Sequence, residues 1–490
     1  MFSFIISIVA LVLGYLLYGK FIANIFAPDP SRKTPAYSMQ DGVDYIPMPT
    51  WKVYMIHFLN IAGTGPIFGA IMGAKFGPSS YLWIVFGCIF AGAVHDYLSG
   101  MLSVRYGGAS LPELIGIHVG KITKNVMLVF TVVLLLLVGA VFVYSPAIIL
   151  GKIAGFFSTP AASMMFWVFV IFVYYIIATL LPIDKVIGKI YPLFAFALLF
   201  MAAALMVCLF VKWPSIPEFW QGLGNKGPEI GMSGQSIFPC LFITVACGAI
   251  SGFHATQSPM MARCMKSETL GSPVFYGSMI TEGIIALIWA AVSSWFFFDG
   301  GMAEVGASSG QAPEVVTSVA KAWLGVAGGI LAILGVVAAP ITSGDTAFRS
   351  ARLVISDFFK VDQSSKAKRL AISLPIFLVS GLLLWYNISD EDGFNVVWRY
   401  FGWANQTLSC FTLWMLTSFL TKKRKGVRYL VTLIPACFMT MVCVTYICVE
   451  KIGFNMPAAA APYIAIGTGV LCLVLFYLWR AFKADRSRVE

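Results

Sequence analysis

The chain has 490 residues, of which 59% are hydrophobic and 11% charged, and its mean hydropathy is +0.85. Soluble domains are about 25% charged, so this composition excludes an ordinary water-soluble enzyme and a nucleic-acid-binding protein. The formal net charge is +11, but the basic residues lie in short loops between long apolar runs, as they do in membrane proteins. The sequence therefore predicts an all-α integral membrane protein embedded in a lipid bilayer.

Thirteen apolar runs are long enough for a membrane helix, which needs about 20 residues to cross about 30 Å of hydrocarbon. They lie at approximately 2–19, 52–74, 81–104, 125–150, 164–181, 190–211, 237–260, 273–297, 320–342, 369–387, 395–420, 428–449 and 461–482. The first run lacks a basic start and a small-residue cleavage site, so we interpret it as a retained helix and not as a signal peptide.

The charge distribution predicts the orientation of these helices. The loops after odd-numbered helices, together with the C-terminal tail, hold 26 of the 33 Lys and Arg residues. The loops after even-numbered helices hold only Lys75, Lys152, Lys212, Lys226, Lys321 and Lys451. Because cytoplasmic loops are rich in Lys and Arg, we expect the N-terminus outside and the C-terminus in the cytoplasm.

The sequence lacks the common cysteine and histidine motifs of metal-binding proteins and metalloenzymes. The ten cysteines form no CxxC pair, and the four histidines form no HExxH. The two longest loops, at about 20–51 and 343–368, are too short to fold as a soluble domain. We therefore predict no enzyme activity, no metal site and no cofactor, and no ATPase domain of a primary pump.

Two helices combine Gly, polar residues and Pro at mid-membrane depth. Helix 2 reads HFLNIAGTGPIFGAIMGAKFG over 57–77, with Gly and Thr at 63–65 just before Pro66. Helix 7 reads TVACGAISGFHATQSPMMAR over 244–263, with a stretch that runs from the Gly-containing region 248–252 through polar residues at 254–258 to Pro259. Because Pro is favoured in the first turn of a helix, each sequence predicts a helix, an unwound stretch and a second helix. The alternative is that both are Gly-rich faces for close helix packing.

Helices 2 and 7 are five positions apart, so they cross the membrane in opposite directions. Residues 52–211 (helices 2–6) and 237–420 (helices 7–11) therefore predict two inverted five-helix repeats with a substrate site at the unwound midpoints. Residues 1–51 would add an N-terminal helix and a cytoplasmic loop. Residues 421–490 would add two C-terminal helices and a short tail.

Ionisable residues at membrane depth are costly, so they are candidates for ion coupling. His57, His95 and Asp96 fall at a similar depth and could form a proton relay, or could be helix-pairing hydrogen bonds. Glu282 is nearly central in helix 8, where it would be protonated, metal-paired or His-paired, or a structural hydrogen-bonding group. Asp345 lies at the inner end of predicted helix 9 and could bind H⁺ or Na⁺, or could be solvated there.

Polar and small residues near the two midpoints form a second set of candidates. Those expected to contact substrate are Asn60, Gly63, Thr64, Gly65, Gly252, His254, Gln257, Asn405 and Gln406. The three amide side chains Asn60, Asn405 and Gln406 could equally bridge helices. The hydroxyls of Thr342 and Ser343, with carbonyls near Ala62, could form an oxygen cage for Na⁺.

Arg399 lies near the outer end of helix 11, between aromatic residues. We expect it to anchor the helix at the membrane interface by snorkelling. An outer vestibule that attracts anions is the alternative.

Five segments in order resemble the carbon starvation protein A family: HFLNIAGTGPIFGAIMGAKFG, GAVHDYLSGMLSVRYGG, GAISGFHATQSPMMAR, PITSGDTAFRSAR and FGWANQTLS. The resemblance covers about residues 1–420, and the chain is shorter than the long enterobacterial members. It implies a transporter of the bacterial inner membrane with the leucine-transporter fold. It also implies a role in peptide uptake during carbon starvation or in proton-driven pyruvate uptake.

On that fold, the resemblance implies that residues 63–65 and 252–258 are the substrate-binding breaks. It further implies that Ala62, Thr342 and Ser343 fall where sodium-coupled relatives hold Na⁺, and it leaves H⁺ and Na⁺ both open as coupling ions. We therefore expect a secondary active symporter that imports a small carbon source by alternating access.

A pyruvate-like carboxylate fits this expectation because two half-helix N-termini would face the site, so that no buried Lys or Arg is needed. Small peptides or amino acids are the rival substrates, since Asp96 or Glu282 could bind an ammonium group. A membrane sensor or channel is a remote alternative, because no soluble signalling domain is predicted.

Overall fold

The computed structural model describes residues 1–153, 157–180, 183–231, 234–307, 309–361, 363, 365–389, 393–423 and 426–489. Within these ranges the regular structure is entirely helical, as the sequence predicts. We number the long helices in the order of the predicted ones. Eleven of the long helices are α1 (Phe2–Phe26), α3 (Ser79–Arg105), α4 (Lys121–Ile153), α5 (Pro160–Leu180), α6 (Ile183–Lys212), α8 (Glu268–Phe298), α9 (Ala312–Phe359, kinked at Gly325), α10 (Lys366–Ser389), α11 (Gly393–Lys423), α12 (Leu430–Val449) and α13 (Ala461–Val489). The broken helices are α2a (Thr50–Ile61) with α2b (Gly65–Phe76), and α7a (Ile237–Thr244) with α7b (Gly252–Ala262).

Most of these helices are suited to a bilayer. Among the described residues, ten are long and apolar enough to cross a membrane, and eleven if the bent pair α2a and α2b counts as one span. Helices α7 and α11 do not meet this measure, since the halves of α7 are short and α11 contains many polar side chains. The protein is thus a multi-pass helical membrane protein, and crossing by all thirteen helices stays a prediction.

The helices are layered around α3 and α8, which are the most deeply buried of the apolar helices, whereas α13 is the most exposed. Helix α8 packs on both halves of α2, and α7b packs on α3, α2a and α11. Helix α9 packs along α4 and α6. The two broken helices therefore lie in the interior of the bundle.

Contacts at the ends of the helices agree with the alternation of sides that the predicted topology requires. The N-terminal amine pairs with Glu218, which follows α6, and Ser3 donates its N–H to the same carboxylate at 2.6 Å. At the other end, Glu268 accepts hydrogen bonds from Arg105 at 3.1 Å and from the N–H of Asp29 at 2.9 Å. The loops after α1, α3 and α7 therefore meet on one side, opposite the N-terminus.

Helix α9 is longer than predicted. The sequence predicts that it ends near residue 342, but the helix continues to Phe359, with a kink at Gly325. Asp345 is consequently fully buried inside a helix, and the alternative of a solvated helix end is wrong. The extension is stable because Ala347, Phe348 and Ala351 bury an apolar stripe that the charged residues around them conceal in the sequence.

Candidate functional site

The interruption of α2 is where the sequence predicts it. Ala62 has non-helical backbone angles of φ −80° and ψ 48°, and the helix resumes at Gly65 with a bend of 44°. Pro66 lies in the first turn of α2b, where its missing N–H leaves no helical bond unmade. The N–H groups of Thr64 and Gly65 donate no hydrogen bond to other described residues. This break therefore presents backbone donors inside the bundle.

The interruption of α7 lies earlier than predicted. Helix α7a ends at Thr244 and α7b begins at Gly252, so the unwound stretch is 245–251. The prediction that 252–258 is unwound, with His254 and Gln257 inside it, is wrong. Pro259 lies inside α7b instead of at its start. The side chains of His254 and Gln257 therefore project from the first two turns of α7b.

Asn405 of α11 determines where α7b begins. Its Oδ1 accepts the N–H of Phe253 at 2.7 Å and the hydroxyl of Ser251 at 3.0 Å. A side-chain oxygen that accepts an N–H of the first turn fixes a helix N-terminus. Its neighbour Gln406 donates to the carbonyl of Phe242 in α7a at 3.0 Å. Asn405 and Gln406 therefore link α11 to α7, in agreement with the alternative that these amides bridge helices.

We expect Asn405→Ala to destabilise the folded protein by about 1–2 kcal/mol, because it removes a cap and leaves a buried N–H without a partner. The measurement is the midpoint of thermal unfolding in detergent. Thr407→Ala is the matched control, since this hydroxyl donates only to the carbonyl of Trp403 within α11. Equal midpoints for the two variants would exclude the capping role of Asn405.

The two breaks are in close contact because glycines permit it. A Cβ at Gly65 would lie 2.2 Å from the Sγ of Cys247, which is in the unwound stretch of α7. A Cβ at Gly63 would lie 2.6 Å from the ring of Phe142 in α4. Contacts below 3.0 Å require a neighbour to move, so neither position accepts a side chain without rearrangement.

A buried chain of acids and histidines lies beside these breaks. The Nδ1 of His95 and the Oδ1 of Asp96 are 2.7 Å apart, and the Oδ2 of Asp96 is 2.8 Å from the Nδ1 of His254. The Nε2 of His254 is in turn 3.4 Å from Oε2 of Glu282, a contact without hydrogen-bond alignment. All four side chains are fully buried. We call His95, Asp96, His254 and Glu282 the acid–histidine chain.

The composition of this chain differs from the predicted relay. His95 and Asp96 are together, as predicted, but His57 makes no hydrogen bond to them, and its ring packs edge-on against Phe275 at 5.0 Å. His254, which the sequence places with the substrate residues, bridges Asp96 and Glu282. The predicted pairing of Glu282 with a histidine is consistent with this contact.

Several buried polar atoms of α2, α7b and α8 have no hydrogen-bond partner among the described residues. They are both ring nitrogens of His57, both amide atoms of Asn60, the hydroxyl of Thr64, Oε1 of Gln257 and both oxygens of Glu282. An unsatisfied buried polar group costs about 1–3 kcal/mol, so native proteins rarely contain so many together. We call these five residues the unpartnered polar set. Because α2a packs on both α7b and α8, these atoms indicate a site for a polar ligand, an ion or water.

The residues of the predicted Na⁺ site lie beside the same break. Ser343 donates to the carbonyl of Leu59 in α2a at 3.0 Å, whereas Thr342 donates to carbonyls of its own helix. Asp345 accepts a hydrogen bond from Tyr191 of α6 at 2.6 Å through Oδ2, and its Oδ1 has no described partner. Tyr191 could not be identified from the sequence, because its contact with Asp345 depends on how α6 packs on α9.

Ion pairs between arginine and aspartate side chains lie at the end of the bundle that is predicted to be cytoplasmic. Asp44, in the loop after α1, lies 3.3 Å from Arg349 and 3.6 Å from Arg352, which are both on the extension of α9. Burial opposes the ionisation of Asp44, but Arg352 and Arg349 outweigh it and hold the pKa of this carboxyl below its usual range. Arg263, at the end of α7b, pairs with Asp357 at 3.1 Å. These pairs tie α7b and α9 to the loop after α1.

Broken helices, buried charges and unpartnered polar atoms in a multi-pass bundle define the architecture of membrane transporters. The model of the carbon starvation protein CstA family matches residues 1–154, 149–330 and 312–446. The chain belongs to this family of membrane transporters.

Proteins of similar sequence are consistent with membership of this family. The chain is 28% identical to the peptide transporter CstA of Campylobacter jejuni, over 90% of this chain and 78% of that protein. It is 24% identical to the pyruvate/proton symporter BtsT of Escherichia coli K12, over 90% of this chain and 80% of that protein. It is also 45% identical to a membrane protein of Haemophilus influenzae, over 61% of this chain and 91% of that one. The chain is therefore a multi-pass bacterial membrane protein of a transporter family.

Solved transporters share the fold at low sequence identity. The manganese transporter of Eremococcus coleocola, in complex with an aromatic bis-isothiourea substituted compound, superposes with a TM-score of 0.60 at 12% identity, over 92% of this chain and 99% of that one. A Na⁺-coupled sialic acid symporter superposes with a TM-score of 0.53 at 13% identity, over 95% and 96% of the two chains. This likeness concerns the fold alone.

Proposed function

We propose that the chain is a secondary active transporter that imports a pyruvate-like monocarboxylate together with H⁺ by alternating access. The observation that carries this proposal is the unpartnered polar set beside the break in α2. A carboxylate there would accept hydrogen bonds from the N–H groups of Thr64 and Gly65 and from the side chains of Asn60 and Thr64. The proposal includes thirteen spans, two inverted repeats (α2–α6 and α7–α11), an outer N-terminus and a cytoplasmic C-terminus.

Proton coupling is supported by the acid–histidine chain. It joins α3, α7b and α8, so its hydrogen bonds change whenever the second half of α7 moves against the other two helices. Histidine is the side chain that ordinarily gains and loses a proton near neutral pH, and Asp96 contacts both His95 and His254. A proton taken up by this group would therefore be linked to the conformation of the broken helix. Na⁺ coupling through Ala62, Thr342 and Ser343 is the alternative.

Peptides or amino acids are the second candidate substrates. Both oxygens of Glu282 lack a hydrogen-bond partner among the described residues, so this carboxylate could bind the ammonium group of a peptide. Several relatives are named peptide transporters, which also favours a peptide as the substrate.

In proteoliposomes with an imposed inward pH gradient, we expect labelled pyruvate to accumulate without Na⁺, and a protonophore to abolish the accumulation. Unlabelled alanine dipeptide is expected to leave pyruvate uptake unchanged. Uptake of labelled dipeptide without any uptake of pyruvate would replace the monocarboxylate by a peptide. Accumulation that requires Na⁺ and ignores the protonophore would replace H⁺ as the coupling ion.

A further inference from the structure

A polar cavity lies between the break in α7 and the end of the molecule that is predicted to face outward. It has a volume of about 480 Å³ and is lined by α2b, α7a, α11, α12 and the segment after α12. This volume lies within the range of small-molecule binding sites. We call it the outer vestibule.

The charged residues of the outer vestibule are mostly cationic. Lys75, Arg399 and Lys451 line it together with one carboxylate, Glu450. The oxygen Oε1 of Glu450 already accepts from Gln235 at 3.3 Å and from the thiol of Cys240 at 3.2 Å. The cavity therefore has an excess of positive charge, which favours an anion.

Arg399 is the residue in this cavity best placed to bind such an anion. Its side chain is partly exposed in the vestibule and makes no hydrogen bond or ion pair with any residue that the structure describes. Lys75, by contrast, donates to Oε1 of Gln235 at 2.7 Å. A guanidinium group offers two parallel donors that match a carboxylate. Snorkelling alone would direct this group toward the lipid interface and not into a cavity between helices.

The outer vestibule borders the break in α7. Thr244, the last residue of α7a, lines it, and the unwound stretch begins at the next residue. Trp398 also lines it and packs against Phe401, with ring centroids 5.6 Å apart. Phe401 packs against Phe142 at 6.0 Å, and Phe142 is the ring that covers Gly63. A layer of aromatic rings thus separates the vestibule from the break in α2.

We propose that the outer vestibule is a carboxylate-binding site in which Arg399 holds a small organic carboxylate before it passes the aromatic layer. The identity of the carboxylate as the transported molecule rests on the proposed function, whereas the binding of a carboxylate at Arg399 does not. Lys75 and Lys451 contribute positive charge to the site, and Trp398 forms its floor toward the break.

Chemical labelling tests the site without any transport. Purified full-length protein is treated with phenylglyoxal, and modification of each arginine is quantified by mass spectrometry with and without pyruvate. We expect pyruvate to protect Arg399 and to leave Arg32, an exposed arginine of the loop after α1, unprotected. The uncharged ester methyl pyruvate is expected not to protect Arg399. Labelling of Arg399 that pyruvate does not change would overturn the proposal, as would equal protection by chloride.

The kinetic test uses Arg399→Gln and Arg399→Lys in proteoliposomes. For Arg399→Gln we expect KM for outer pyruvate to rise about tenfold with kcat little changed, because a charge-assisted contact made before translocation is lost. Arg399→Lys keeps the charge and is expected to recover part of the affinity. Lys212→Gln is the control, since this lysine pairs with Glu304 on the surface at 3.0 Å. An unchanged KM in Arg399→Gln would contradict the site.

The two proposals can fail independently. Protection of Arg399 in a protein that does not accumulate pyruvate would contradict the proposed function and leave the carboxylate site standing. Accumulation of pyruvate with no protection of Arg399 and no change in KM would contradict the carboxylate site and leave the proposed function standing.

Discussion

Asp96→Asn is expected to abolish ion-driven accumulation of substrate while exchange of labelled for unlabelled substrate continues. The carboxylate of Asp96 joins His95 at 2.7 Å and His254 at 2.8 Å, and all three side chains are fully buried. Asn has nearly the same shape but can neither bind a proton nor carry a charge, and its amide has only one acceptor atom for the two histidines. Substrate would therefore reach equal concentrations on both sides under an imposed pH gradient without a membrane potential.

The measurement compares accumulation under a pH gradient with counterflow in the same proteoliposomes. Counterflow shows that the variant is folded and still alternates between its two sides. Glu113→Gln is the control for a lost carboxylate, since Glu113 pairs with Lys124 at the partly exposed end of α4. It is expected to accumulate substrate normally.

Asp345→Asn separates the two possible coupling sites. Asp345 is equally buried but contacts Tyr191 and not the acid–histidine chain, so we expect its replacement to spare proton-driven accumulation. Normal accumulation in Asp96→Asn, with loss in Asp345→Asn, would exclude Asp96 from coupling and transfer that role to α9.

The sequence predicts the helices and the first break well because both are local features. Apolar length determines where a membrane helix forms, and 63–65 followed by Pro66 combines weak helix formers with a residue that starts helices. Both signals lie within one short segment. No contact with distant residues is needed to interpret them.

The second break could not be located from sequence because a distant residue determines it. Pro259 suggests a helix start at its own position, but Asn405 caps the helix at Phe253, and these residues are far apart in the chain. The same limit applies to the acid–histidine chain. His254 and Glu282 join Asp96 only because α7b and α8 both pack on α3.

The second large effect is expected at Gly65. Gly65→Leu should abolish substrate binding in a protein that still inserts and remains folded, because its side chain would fill the space between the two breaks. Even a Cβ at this position would lie 2.2 Å from the Sγ and 2.6 Å from the Cβ of Cys247. Overpacking of this kind typically costs about 1–3 kcal/mol, which a bundle of this size tolerates while the break is displaced.

A double variant distinguishes a steric cause from a general loss of structure. Gly65→Ala alone should weaken binding strongly, and adding Cys247→Gly should restore most of it. The nearest remaining atom of Cys247 would then be its Cα, which is 4.0 Å from the new Cβ. Gly381→Ala in α10 is the control, because its Cβ would meet nothing nearer than the Phe172 ring at 3.8 Å.

Binding is measured by titration of labelled substrate onto purified protein, and folding by thermal unfolding of the same samples. Restored binding in Gly65→Ala with Cys247→Gly would show that the close contact of the two breaks forms the site. If Gly65→Leu bound substrate as tightly as the unmodified protein, the break in α2 would not be the binding site. The unpartnered polar set around it would then need another ligand, such as water or the coupling ion.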